Sequence, residues 1–326
     1  MEHVAQRAGV SLMTVSRALR EPSLVAQPTR DRIQDAITEL GYVGSAFAVQ
    51  LASGRTRLVA VLLPDLRNPA FAVEMQGLAE GLGEGLELIV SGVRGSGTRH
   101  DQVARALLGY KPAALVIHGG RHSHEMRELL VRSNVPIVEL GSLVARPINI
   151  AVGYSNRAAG RVATEHLLQR GYRTIGFVSQ SRKDNSRADD RWLGFREALR
   201  AAGITPRPEL ELETSLGYER GAEALKELLC REPKIDAVFF TGDGWALGAL
   251  FYCQRENISV PGRVAIMGFD DQELASQTVP SLTSIQVPRY RMGWEAGTLL
   301  RSQLDGKAPE RKRIDLGFKL VHRQTT

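Results

Sequence analysis

Polar residues collect at the ends of the apolar runs in this chain, and their chemistry suits a small hydroxylated ligand. Asp65, Arg67 and Asn68 follow the run Leu58–Leu63, and His118 closes the run 113–118. Residues 179–191, Gly242-Asp243 and Asp270-Asp271 stand behind three later runs. Carboxylates accept from hydroxyls, guanidiniums donate to them, and amides do both. The same residues do not assemble a reaction. His118, His122 and His124 form a loose cluster without paired cysteines or an H-E-x-x-H, so no metal is expected. Asp189 and Asp190 are neighbours on a helical pattern and point to different sides. No serine occupies a G-x-S-x-G elbow, and Gly92-Val93-Arg94-Gly95-Ser96-Gly97 lacks the G-K-[ST] ending of a phosphate loop. The expectation is a binding protein without a cofactor, not an enzyme.

Two successive series of strand and helix patterns carry these loops. Short, almost wholly apolar runs lie at 58–63, 86–90, 113–118 and 137–140, with helical stretches between them. A second series follows at 174–179, 237–241 and 264–269, with helices at about 156–170, 187–202, 217–231 and 246–256. Apolar strands alternating with amphipathic helices imply parallel sheets covered on both faces. Two such series imply two lobes, and ligands of these folds bind beyond the carboxyl ends of strands.

The amino terminus is built differently. Val4, Ala5 and Ala8 repeat at helical spacing, Gly9-Val10 turns, and Ser11 caps a second helix whose apolar face continues through Val15 and Leu19. Arg20-Glu21-Pro22 ends that helix. Pro28 opens a third, in which Ile33, Ala36, Ile37 and Leu40 repeat before Gly41 closes it. Helix, glycine turn and helix form the helix-turn-helix pattern, whose second helix enters the DNA major groove. Residues 45–54 favour one more short helix, too short to be stable alone. It is either a linker packed on the body or a hinge that folds on DNA.

Bulk properties narrow the field. The chain of 326 residues carries a formal net charge of +6, and residues 1–57 hold seven arginines against five acids. This favours polyanions only mildly. Cys230 and Cys253 read as buried small hydrophobes rather than a disulfide framework. No apolar run reaches the length of a membrane span and no leader pattern opens the chain, so the expected location is cytoplasmic.

The segments VAQRAGVSLMTVSRAL, AVQLASG, VAVLLPDLRNPAF, RWLGFREAL, FFTGDGWALGAL, VPGRVAIMGFDD, PSLTSIQVP and LVHRQTT occur in order along the whole chain. Together they resemble the LacI/GalR family of bacterial transcriptional repressors. GFDDQELASQTVPSLTSIQVP and IDLGFKL are similar to gluconate-responsive members. The resemblance implies a small all-α helix-turn-helix headpiece plus hinge helix. A two-lobed α/β body with parallel sheets, like a periplasmic binding protein, would follow. The expected divisions are 1–44 for the headpiece, 45–57 for the hinge and 58–326 for the body. Lobe one would take about 58–154 and 288–315, and lobe two 155–287 and 316–326. The implied partners are palindromic operator DNA, a small sugar or sugar-acid effector, and a second copy in a homodimer, with no membrane.

By the same resemblance, Ser11, Leu12, Met13, Thr14, Ser16 and Arg17 face DNA, and Ala48 and Leu51 approach the minor groove from the hinge. Arg17 donates two hydrogen bonds to guanine, Thr14 and Ser16 meet phosphates, and Leu12 and Met13 meet thymine methyls or sugar edges. The implied effector residues are Asn68, Phe71, His118, Lys183, Arg191, Asp243, Trp245 and Asp270. Arg191 pairs with a carboxylate if the ligand is a sugar acid. Ser155-Asn156 replaces a usual Asp-Asn pair, which reduces repulsion toward an anion. Three other readings remain open: an activator or dual regulator, a sugar-binding protein, and an α/β enzyme acting on sugar acids.

Overall fold

A computed structural model describes residues 1–42, 56–93, 98–119, 121–183 and 185–326. The segment expected to form the hinge, with Ala48 and Leu51, lies outside these residues. The chain forms two compact units, Met1–Arg57 and Leu58–Thr326.

In the first unit, α1 (Glu2–Ala8) ends at Gly9, whose φ of 62° is left-handed and readily adopted by glycine. Ser11 then caps α2 (Leu12–Arg20), its Oγ accepting from the Thr14 N–H at 3.1 Å. A 3₁₀ turn at Pro22–Leu24 leads to α3 (Gln27–Leu40), closed by Gly41. The core of this unit is small: Val4, Ala5, Ala8, Val15, Ala18, Val25, Ile33 and Ala36. Two expectations are corrected here. Leu19 is 44% exposed and Leu40 is 45% exposed. The inward stripe of α2 runs through Val15 and Ala18, one residue before Leu19 on the helical wheel.

The second unit holds two six-stranded sheets of the same design. The first is built from β1 (Leu58–Leu63), β2 (Glu87–Gly92), β3 (Ala114–His118), β4 (Ile137–Leu140) and β5 (Ile150–Gly153). Between these strands run α4 (Ala70–Leu82), α5 (Thr98–Gly109) and α6 (His124–Arg132). The second sheet contains β6 (Ile175–Ser179), β7 (Glu211–Glu213), β8 (Ala237–Phe240), β9 (Ala265–Asp270) and β10 (Thr283–Gln286). Its helices are α7 (Asn156–Gln169), α8 (Ser186–Ala201), α9 (Tyr218–Arg231), α10 (Asp243–Arg255) and the short α11 (Glu273–Gln277). The chain then returns through α12 (Arg289–Leu304) and β11 (Arg313–Asp315) to the first sheet, and ends through β12 (Lys319–Val321) in the second.

Spatial order is β11-β5-β4-β3-β1-β2 in one sheet and β12-β10-β9-β8-β6-β7 in the other. All pairings are parallel except β10 with β12. Both sheets are doubly wound, as the apolar strands require: every residue of β3, β4, β8 and β9 is buried. Cys253 is buried as expected for a small hydrophobe, whereas Cys230 is exposed on the outer side of α9.

Glycines set the two helix crossings that matter for the cleft. A Cβ at Gly194 of α8 would lie 2.0 Å from the Arg157 carbonyl oxygen of α7. One at Gly293 of α12 would lie 1.9 Å from the Glu74 oxygen of α4. Both pairs of helices are therefore in backbone contact, closer than any side chain permits. Those contacts bring Arg191 to the start of α7 and Arg289 to Glu74.

Candidate functional site

The two sheets face each other across a cleft at the carboxyl ends of their strands. Asn68, Phe71, Arg191, Trp245 and Asp270 line it, together with Asp65, Gln180, Arg187 and Arg289.

Arg191 is held on every side. Its Nε donates to Asn156 Oδ1 at 2.9 Å, Nη1 to the Thr241 carbonyl at 2.8 Å, and Nη2 to Tyr154 Oη at 2.9 Å. The guanidinium also lies over the Phe269 ring, 3.6 Å from its centre. Asn156 is fixed in turn by donating to the Gly141 carbonyl at 2.9 Å. Ser155 caps α7 by accepting from the Ala158 N–H at 3.1 Å.

Asn68 does both jobs open to it. Its Oδ1 accepts from the Ala70 N–H at 3.0 Å at the start of α4, and its Nδ2 donates across the cleft to Asp270 Oδ2 at 3.2 Å. Asp270 has a φ of 107°, which non-glycine residues adopt only when their surroundings impose it, and Asp271 has a φ of 53°, in the left-handed region that aspartate tolerates. Here the Asp271 N–H donates to Ser284 Oγ at 3.1 Å, and Arg289 and Arg323 hold the two carboxylates. Trp245 turns its ring toward the cleft and donates Nε1–H to the Ser215 carbonyl at 2.8 Å.

Three expected effector residues sit elsewhere. Asp243 lies fully buried beneath the loop after β9, accepting from Ser284 Oγ and from the Gln272 N–H, each at 2.7 Å. Burial raises its carboxyl to about 8 against the pull of Ser284, so it offers no free carboxylate to a ligand. Its place at the first turn of α10, directed back into the lobe, explains the correction. Lys183 is exposed and absent from the cleft lining. His118 is buried behind Phe71, ring edge to ring face with centroids 4.7 Å apart.

Beneath the cleft lies a charge cluster that sequence reasoning missed. Arg187 Nη1 donates to His118 Nδ1 at 2.9 Å, and His118 Nε2 lies 3.2 Å from Glu74 Oε1. Arg289 Nη1 donates to Glu74 Oε2 at 3.0 Å, and its Nη2 donates to Asp270 Oδ1. Arg187 and Arg289 flank Phe71 at 5.9 and 5.5 Å from the ring centre. Burial, opposed in part by Glu74, drives His118 down to about 4, so the imidazole is neutral near pH 7. One signal was available: Arg187 precedes Arg191 by four residues and so shares its helical face.

The outward side of α2 is a second candidate surface. Met13 is 68% exposed, and Leu12, Ser11 and Arg17 are exposed beside it, while Thr14 and Ser16 are half-buried. The Thr14 hydroxyl hydrogen-bonds Ser11 Oγ at 2.8 Å. No group of side chains suited to a metal occurs among the described residues, and none of their helices is long and apolar enough to cross a membrane.

Comparison with known proteins agrees with this geometry. Residues 1–45 match the family described as bacterial regulatory proteins, lacI family, and residues 164–326 match a periplasmic binding protein-like domain. The chain is similar to the HTH-type transcriptional regulator GntR of Pseudomonas aeruginosa, 34% identical over 100% of this chain and 95% of that protein. It is also similar to a crystal structure of a LacI-family transcriptional regulator from Silicibacter pomeroyi. That match has a TM-score of 0.90 and 31% identity, and covers 99% of this chain and 98% of that one. A third likeness is to the transcriptional regulator CelR–cellobiose complex, with a TM-score of 0.72 and 31% identity over 100% and 99% of the two chains. With a helix-turn-helix unit ahead of two doubly wound lobes, the chain belongs to the LacI family of bacterial regulatory proteins.

Proposed function

We propose that this regulator is a homodimeric repressor of palindromic operators that a small sugar acid, gluconate or a close relative, controls from the cleft. The observation that carries the acid is a charge imbalance. Three buried guanidiniums, Arg187, Arg191 and Arg289, face two buried carboxylates, Glu74 and Asp270. His118 between them is neutral, and Asp65 is neutralised by Arg67 at 2.7 Å. A desolvated site with one excess positive charge favours an anion. The likeness to a regulator solved with cellobiose supports a carbohydrate as the rest of the ligand.

The cleft lies between lobes tied together by side chains that a ligand would displace or recruit, notably Asn68, Asp270 and Arg289. An effector that binds one arrangement of the lobes more tightly shifts the population toward it, and only that difference in affinity can drive release. Arg17, exposed on α2, supplies the bidentate donor for guanine. Ala48 and Leu51 fill the hinge role at the operator centre.

The test selects binding duplexes from a random pool with the full chain and titrates the winner with D-gluconate. Release at millimolar or lower gluconate is expected. In that assay Arg17→Ala should lose roughly 10- to 100-fold for the selected duplex, from the 1–3 kcal/mol of a bidentate base contact, and much less for random DNA. Absence of any preferred duplex, with or without sugar acids, overturns the reading. Tighter binding on adding gluconate replaces repression relieved by ligand with the opposite sign.

A further inference from the structure

Arg187 and Arg191 stand one turn apart on α8 and both border the cleft, yet their hydrogen-bond inventories differ sharply. A guanidinium has five N–H groups in a rigid fork. Arg191 spends each of its three nitrogens on a protein acceptor and its flat face on Phe269. Those bonds commit three of its five N–H groups to the protein. Arg187 is equally buried, but among the described residues its one side-chain hydrogen bond is to the neutral His118. Because Nη1 donates to Nδ1, the imidazole proton sits on Nε2 and faces Glu74. The short approach of Arg289 Nη1 to that same Nε2, 3.3 Å, therefore brings two donors together and is not a bond.

No carboxylate of the described residues forms an ion pair with Arg187 or Arg191, whereas Arg67 has Asp65, and Arg289 has Glu74 and Asp270. Arg191 has three neutral acceptors in place of one, and Arg187 has only His118. Burial, with Arg191 and Arg289 nearby, brings the Arg187 guanidinium down to about 10. A buried cation lacking a counter-ion is the costliest group in such a site, and a ligand anion relieves that cost.

We infer that Arg187 takes the carboxylate of the effector and thereby selects a sugar acid over the neutral sugar alcohol of the same length. Arg191, with three of its five N–H groups committed to the protein, also fixes the wall of the second lobe. The inference rests on the sugar-acid reading of the cleft. The remaining lining, with Asp65, Asn68, Gln180 and Asn185, offers acceptors and amides to a polyol chain.

Calorimetry of the full chain with D-gluconate and with D-glucitol, which has a hydroxymethyl in place of the carboxylate, tests it. Wild type should prefer gluconate. Arg187→Gln should weaken gluconate by about 10- to 100-fold, the span of a charge-assisted hydrogen bond, while glucitol changes little. Arg187→Lys, which keeps the charge and loses the fork, should retain part of the preference and serves if the glutamine variant fails to fold. An unchanged ratio of gluconate to glucitol affinity in either folded variant overturns the assignment of Arg187 alone. Failure of wild type to bind gluconate, galactonate or glucuronate overturns the sugar-acid reading and this inference together.

Discussion

Arg289, the first residue of α12, donates across the cleft to Asp270, the last residue of β9, and so joins the two lobes through a buried ion pair. The same guanidinium holds Glu74 at 3.0 Å. Burial alone would raise both carboxyls. His118 and Arg289 bring Glu74 below the usual carboxylate range, and Arg289 with Arg191 does the same for Asp270.

Replacing Arg289 with methionine strands two buried carboxylates. Arg289→Met should cost about 3–5 kcal/mol of stability in the body, the usual result of removing one partner from a buried pair. Adding Asp270→Asn should return part of that loss, because the amide needs no cation. Urea unfolding of the single and double variants measures the coupling, and strictly additive losses would show that the two groups act independently.

Gly194→Ala probes how the cleft wall is held. The added Cβ would lie 2.0 Å from the Arg157 oxygen, so α7 and α8 must move apart. A loss of about 1–3 kcal/mol is expected from such overpacking. Gluconate affinity should fall with it, since the bonds of Arg191 to Asn156 and Tyr154 link α8 to the start of α7. Gly109→Ala is the control: a Cβ there meets nothing within 4 Å, so thermal melting should change little or improve slightly.

Two opposed titrations shape the stability of the body: they cancel between about pH 4 and 6.5 and leave a net fall between 6.5 and about 8. His118 has its folded value lowered from 6.5 to about 4, so the unfolded chain binds more protons in that interval and stability falls as pH drops through it. Asp243 has its value raised from 3.8 to about 8, so the folded chain binds more protons and stability is lost as pH rises toward 8. Asp243→Asn should remove the fall between pH 6.5 and 8 from a plot of melting temperature against pH, and His118→Gln should extend that fall down toward pH 4. A variant that shifts the whole curve without changing its slope would argue against that group.

Much of the architecture was written in the order of residues. Apolar runs such as 58–63 and 137–140 read as central strands because they are too short for a buried helix and alternate with amphipathic helical stretches. The glycine turn at Gly9 and the cap at Ser11 fix the start of α2 through contacts within four residues. Short strands escaped this logic: β7, β11 and β12 have three residues each and little apolar pattern, and they exist because a neighbouring strand supplies their partners. Asn68, Phe71, Trp245 and Asp270 reach the cleft as their places after strands imply. Leu19 and Leu40 turned outward because a one-residue step rotates a helical side chain by a large fraction of the wheel.

Local sequence thus determined which residues form helices and strands, since caps, turns and periodicity act over a few positions. Only the tertiary structure decided the roles of the charges. Arg187 and His118 are 69 residues apart, and Arg289 and Glu74 are 215 apart. Their meeting depends on helix crossings and sheet order rather than on any local pattern. Burial then set which groups are charged: it left His118 neutral, raised the Asp243 carboxyl, and denied Arg187 a carboxylate partner, and no reading of residue types alone fixes how much water each would lose.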